Sequence, residues 1–274
     1  MPVTVEKLNE LKELALQIRR DTLTALVHAG SGHPGGALSM VEMLTVLYFH
    51  EMNVDPANPK WEDRDRFILS KGHACPSYYT TLAHKGYFDR ELLNTLRQPG
   101  SMLQGHPCMG KTPGVDMSTG SLGQGISVAA GMALYAKNKG KNYRVYSIIG
   151  DGESQEGQVW EAAMSAAHFG LDNLTVLLDA NHLQIDGRVD DVMNIFPMCE
   201  KFAAFGWHTL EVDGHNMAEL IEALEAAKAE KNRPTFILCN TVKGKGVSFM
   251  ENQAGWHGTP LPRNLYEIAM EELK

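Results

Sequence analysis

Apolar residues recur along this chain with two different spacings. Between Val5 and Ala29 the residues Leu8, Leu11, Leu14, Ala15 and Ile18 fall on one face of a helix, and Thr4 stands where an N-cap would. Gly30–Gly36 ends that pattern with four glycines and a proline. Helical spacing returns over Leu38–Phe49, Pro76–His84, Gln158–Phe169, Met198–Phe205, Met217–Ala229 and Asn264–Leu273. Leu122–Lys137 also reads as a helix, with Gly125, Ala129, Ala130, Gly131 and Ala133 small enough for close packing. Five short runs read instead as strands: Phe67–Leu69, Tyr143–Ile149, Leu174–Leu178, Trp207–Val212 and Thr235–Asn240. They are apolar nearly throughout rather than alternating, so both of their faces need cover. Strands alternating with helices predict an α/β fold, a doubly wound parallel sheet with helices on both faces. No repeat, low-complexity tract or linker divides the chain, and residues 1–274 are expected to form a single domain. Gly100–Gly120 is a long irregular stretch of the kind that often carries function. Asp186–Phe196 reads as a polar, flexible insert.

Bulk properties exclude several functions. A length of 274 residues suits one sizeable α/β domain. The net charge of −8, without a Lys/Arg-rich block, argues against a nucleic-acid partner. Cys75, Cys108, Cys199 and Cys239 show no zinc-type spacing and fit reduced thiols. There is no signal-peptide pattern and no apolar run long enough for a membrane. A cytoplasmic protein is expected.

The candidate chemistry begins at two strand exits. Tyr143–Ile149 delivers Gly150-Asp151-Gly152, and Leu174–Leu178 delivers Asp179-Ala180-Asn181; the residues from Glu153 to Ala180 between Gly152 and Asn181 number 28. In a parallel strand–helix–strand unit both exits open on the same sheet edge. Asp151 and Asn181 could therefore share one hard cation, Mg²⁺ or Ca²⁺, whose shell phosphate oxygens would complete. Gly152 would let the backbone approach such a phosphate.

This motif, with Gly150–Gly157 and Leu178–Gly187 around it, resembles the thiamin diphosphate motif of thiamin-dependent enzymes, and most of all that of the transketolase family. The resemblance implies that Asp151, Asn181 and the main-chain carbonyl of Leu183 hold the metal that clamps the diphosphate. Four histidines in glycine-flanked turns match the family's active-site histidines in local context: His33, His73, His106 and His257. By that likeness His73 and His257 contact the diphosphate, while His33, His106 and His257 line the channel around the reacting carbons. Thr119–Gly125 resembles a family segment in which Ser121 replaces the usual proline, placing Gly120 and Leu122 against the cofactor's rings. Ile185 resembles the aliphatic residue that packs on the cofactor. Glu156 reads either as a favourable acid at a helix N-terminus or, by resemblance, as part of a carboxylate network across a subunit interface. The other histidines receive no role, although His182 follows Asn181 and its backbone is the part expected to matter. Lys243-Gly244-Lys245-Gly246 lacks the P-loop pattern and reads as a mobile loop leading to His257.

The likeness spans Leu8 to Leu261 but only the first part of a full-length transketolase. The family's pyrimidine-binding domain is missing, and with it the glutamate that activates the aminopyrimidine and most residues that hold sugar phosphates. The implied protein is the N-terminal subunit of a split transketolase, moving a two-carbon ketol unit between a ketose phosphate and an aldose phosphate, as in the pentose phosphate pathway. Its implied partner is a C-terminal subunit that binds the pyrimidine, with two copies of each polypeptide in an α2β2 assembly. The alternatives are the α-subunit of a 2-oxo acid decarboxylase or dehydrogenase, and a non-catalytic cofactor-binding homologue. A set of histidines suited to a polyol favours transketolase.

Overall fold

The computed structural model describes residues 3–274. Helix α1 (Val5–Ala29) starts on Thr4, whose hydroxyl oxygen accepts the Lys7 N–H at 3.2 Å, and stops at Gly30, which takes a left-handed φ of 60°. The pattern read as one helix over Leu38–Phe49 is broken. Helix α2 (Pro34–Leu38) and helix α3 (Val41–Val46) are separate, and α3 runs into a widened turn at Leu47–Glu51. At the break, Ser39 donates its hydroxyl to the Gly36 carbonyl and to buried Asp179, competing with helical bonding.

The remaining elements follow in order: β1 (Arg66–Leu69), α4 (Cys75–Lys85), α5 (Gln124–Asn138), β2 (Val145–Gly150), α6 (Gly157–His168) and β3 (Leu174–Ala180). Then come β4 (Leu183–Gln184), β5 (Gly187–Arg188), α7 (Val189–Val192), α8 (Met198–Ala204), β6 (His208–Asp213), α9 (Met217–Ala229), β7 (Thr235–Asn240) and α10 (Arg263–Glu272). All five predicted strands form one parallel sheet in the order β1-β2-β3-β7-β6. Alternate residues serve opposite faces. Phe67, Leu69, Tyr146, Ile148, Leu177 and Ile237 pack with α1, α3, α4 and α9 on one side. Ile68, Val145, Ile149, Val176, Leu178 and Phe236 pack with α5, α6 and α8 on the other. A smaller apolar cluster, including Leu23, Val247, Met250 and Leu273, folds the last segment back onto α1.

Two further expectations fail. Asp186–Phe196 is not a structureless insert: β4 and β5 form an antiparallel hairpin with Asp186 at its tip, and α7 follows directly. The segment after β7 is not free either, because Lys243 is only 1% exposed. Both segments are polar in sequence, but their backbones and side chains find partners within the fold.

Candidate active site

Strand register builds the site. Gly150 pairs with Asp179, and Ala180 pairs with Asn240, so β2, β3 and β7 end together. Asp151, Asn181 and Thr241 leave the sheet at that shared edge, beside a cleft of about 390 Å³. Asp151 is buried and accepts the Gly152 N–H at 2.7 Å; its other oxygen accepts the His182 N–H. The backbone of His182 thus holds Asp151, from a left-handed φ of 60°. Burial pushes the Asp151 carboxyl up to about 7, and the charge of Asp179 adds to that. Asn181 donates its amide to Asp179 at 3.0 Å, which leaves its oxygen to accept the Leu183 N–H at 3.2 Å. Asp151, Asn181 and Leu183 all line the cleft, together with Gly152, Gly120, Leu122, Glu156 and, from the hairpin tip, the exposed Ile185.

The four histidines meet although they come from four separate loops. The His33 ring centroid lies 5.1 Å from that of His73, 5.5 Å from His257 and 6.4 Å from His106, and His73 stacks on His257 at 5.0 Å. His33, His73 and His257 line the cleft; His106 stands at its margin, where a Cβ on Gly120 would come within 2.9 Å of its ring. Burial is the main reason that these rings hold protons weakly, and nearby cations add to it. The values fall to about 4 for His33, about 2 for His73 and about 3 for His257; His106 is lowered as well. At neutral pH the cluster is a set of uncharged donors and acceptors. The buried Nδ1 of His33 has no hydrogen-bond partner among the described residues.

Three charged residues here left no signal in the sequence pattern. Lys71 is buried at the exit of β1, paired with fully buried Asp179 and donating to the Gly36 carbonyl at 2.8 Å. Burial would raise the Asp179 carboxyl, but Lys71, Ser39 and Thr241 outweigh it and hold it below its ordinary value. Lys243 reaches the Leu183 carbonyl at 3.1 Å and His257 Nδ1 at 3.0 Å. Burial lowers its ammonium to about 8. Glu153 joins three loops: one oxygen accepts from Ser70 Oγ at 2.5 Å and from the Gly123 N–H at 2.9 Å, and the other accepts the Gly150 N–H at 2.9 Å. Glu156 caps α6 with its backbone, and its exposed side chain makes no cap bond.

The family model described as "Transketolase, thiamine diphosphate binding domain" matches residues 11–272. The chain belongs to the transketolase family. One polypeptide of a 6-deoxy-6-sulfo-D-fructose transketolase from Clostridium sp. (strain MSTE9), named as a subunit, is 48% identical over 265 residues, which is 97% of this chain and 96% of the relative. One subunit of an apulose-4-phosphate transketolase from Phocaeicola vulgatus is 42% identical over 266 residues, 96% of this chain and 94% of that one. Human transketolase is 44% identical over 273 residues, but the match takes 98% of this chain and only 42% of the human protein. The transketolase structure from Campylobacter jejuni superposes with a TM-score of 0.90 at 34% identity, covering 96% of this chain and 42% of that chain.

The transketolase fold explains why the site takes this form. Ligands of open parallel sheets sit beyond the carboxyl ends of the strands, and the site gathers around the ends of β1, β2, β3 and β7, capped by the hairpin. A thiamine diphosphate-binding domain must offer oxygen to a cation and positive charge to phosphate. Here Asp151, the Asn181 oxygen and the Leu183 carbonyl are the oxygen groups that could take the first role, and Lys71 and Lys243, which line the same cleft, are the cations that could take the second. Among the described residues no group of three or more His, Cys, Asp or Glu side chains could hold a metal alone. Such a cation would therefore draw further ligands from the diphosphate. Among the described residues, no helix is long and apolar enough to cross a membrane.

Proposed function

We propose that this chain binds the diphosphate end of thiamin diphosphate through Mg²⁺ and forms a working transketolase with a separate pyrimidine-binding subunit. The observation that carries the reading is the convergence of Asp151, Asn181 and the Leu183 carbonyl at one sheet edge, within reach of two buried lysines. Ca²⁺ would satisfy the same oxygen donors. When bound, the cofactor supplies the carbanion chemistry. His73, His257 and Gly152 would face the diphosphate, with Gly120, Leu122 and Ile185 against the cofactor's rings. His33, His106 and His257 would hydrogen-bond the hydroxyls of a ketose donor. Uncharged imidazoles suit that role, because each can accept a proton on one nitrogen and give one from the other. Glu156, exposed at the cleft mouth, would meet the partner polypeptide. An α2β2 assembly in the cytoplasm is the form we expect.

Two relatives that match this chain over nearly their whole length are named as transketolase subunits, which supports the two-subunit reading. Their names carry different sugars; in this reading the partner would hold the sugar's distal group, while this chain would read the polyol end. The test is ketol transfer from xylulose 5-phosphate, and from 6-deoxy-6-sulfofructose, to an aldose phosphate. It is measured for the purified chain and again with its co-purified partner. Turnover that needs both polypeptides and thiamin diphosphate supports the reading. Robust turnover by the chain alone would overturn it.

A further inference from the structure

We infer that His215 is a positioning residue for Lys243, acting through a buried Arg19–Glu42–His215 relay that grips the backbone on both sides of that lysine. This rests on the reading that Lys243 serves the diphosphate. The relay begins on α1, where Arg19 Nη2 donates to Glu42 at 2.7 Å while its Nε donates to the Lys245 carbonyl at 2.9 Å. Glu42, on α3, lies 3.0 Å from His215 Nδ1. His215, in the turn between β6 and α9, accepts the Val242 N–H on Nε2 at 2.8 Å. So the residue before Lys243 is held by His215, and the carbonyl two residues after it is held by Arg19. Gly244 is tied as well, its N–H donating to the Gly35 carbonyl at 3.0 Å.

The chemistry of the relay is directional. A backbone N–H can only donate, so Nε2 must be bare, and the ring's proton then lies on Nδ1, where Glu42 accepts it. Arg19 and Glu42 are almost wholly buried, at 6% and 7% exposure. A carboxylate buried there needs both its arginine and its histidine donor. Burial would raise the Glu42 carboxyl, but Arg19 and His215 more than offset it and hold it low. Glu42 therefore stays a charged acceptor, and His215 stays in the one tautomer that serves Val242. Lys243 carries a charge into the protein interior on a flexible stem. A fixed backbone at Val242 and Lys245 limits where that ammonium can go, namely to the Leu183 carbonyl and His257. None of the three relay side chains lines the cleft, so their effect on binding must pass through the Thr241–Gly246 segment.

Substitutions at His215 separate the two bonds it makes. His215→Asn keeps an amide nitrogen near the place of Nδ1, so Glu42 stays satisfied, but no acceptor reaches Val242. His215→Gln is long enough to return an acceptor to Val242. The measurement is titration of the full chain with thiamin diphosphate and Mg²⁺ by calorimetry, with thermal melts to verify folding. Amide exchange over residues 241–246 is followed in parallel. We expect Lys243→Met to weaken binding about 10–100-fold, the range for losing a hydrogen bond to a charged group. His215→Asn should weaken it about 5–10-fold and speed exchange at Val242, and His215→Gln should restore both to within about twofold. In the Lys243→Met background His215→Asn should add less than about twofold, because coupled residues are not additive. Effects that multiply in the double variant, or a loosened Val242 with unchanged affinity, would overturn the inference while leaving the cofactor reading intact. A wild-type chain, alone and with its partner, that binds no thiamin diphosphate would overturn both.

Discussion

The ammonium of Lys243 lies 3.1 Å from the carbonyl oxygen of Leu183, so a side chain from the segment after β7 holds the turn after β3. Space for this contact comes from Gly35. A Cβ built there would come within 2.9 Å of both Lys243 Cγ and the Trp256 carbonyl oxygen. The lysine stem must move or α2 must shift if that hydrogen becomes a methyl. We expect Gly35→Ala to cost about 1–3 kcal/mol, the usual range for overpacking, and to weaken thiamin diphosphate binding by displacing the ammonium. Thermal melts and calorimetric titration together check it. A variant of normal affinity would show that Lys243 does not depend on this seat.

Asp151 illustrates stability given up for a site. Its buried carboxyl holds a proton up to about pH 7, whereas in an unfolded chain it ionises near its ordinary value of 3.8. Between those values the folded state binds more proton, so its stability falls as pH rises. Asp151→Asn removes that burden. Without added cofactor, we expect the variant to gain on wild type as pH goes from 5 to 8, by on the order of 1–2 kcal/mol or about 2–4 °C. With Mg²⁺ and thiamin diphosphate the order should reverse, because wild type alone gains the bound cation. A pH series of melting temperatures, with and without ligand, reads both signs.

The histidine cluster acts in the opposite sense. His33, His73 and His257 are held neutral down to about 4, 2 and 3, but take up a proton near 6.5 when unfolded. Stability from these groups is therefore complete above pH 6.5 and is lost as pH falls below it. For His73, the most shielded of them, the loss approaches about 1.4 kcal/mol per pH unit. Urea unfolding at pH 7.5 and 5.0 should show a clear drop for wild type and a smaller one for His73→Asn. Equal drops would mean that His73 is more open to water than its surroundings imply.

Glu153 should be structural before it is anything else. It takes donors from Ser70, Gly123 and Gly150, which belong to three loops around the cleft. Glu153→Ala strands two backbone N–H groups and is expected to cost about 2–4 kcal/mol. Glu153→Gln keeps one good acceptor and should cost about half as much. Chemical denaturation separates them, and a neutral alanine variant would remove Glu153 from its bridging role.

Much of the fold was legible in advance, because it is written in local periodicity. The five strands, and the helices α1, α4, α5, α6, α8, α9 and α10, lie within a few residues of where spacing put them. The Asp151 and Asn181 pair was legible for a related reason. Both belong to one strand–helix–strand unit, and the geometry of that unit carries two strand exits to one edge whatever the rest of the chain does. Histidines in glycine turns could be noticed singly, but their meeting could not be read from spacing, since His33, His73, His106 and His257 share no element. The part of the hairpin from Asp186 onward was misread as flexible because a polar run does not reveal its backbone pairing.

The sequence by itself determined the alternation of elements, the parallel sheet and the placing of Asp151 and Asn181 at its edge, since each follows from contacts near in the chain. Only the tertiary structure decided the partners of Lys71, Lys243, Glu153 and His215. Lys71 pairs with a carboxylate 108 residues away, and Arg19 reaches a carbonyl 226 residues away. A buried charge leaves no periodic mark in a sequence. Its place depends on which distant donors and acceptors folding brings to it, and on the low-dielectric interior that makes an unpaired charge too costly to keep.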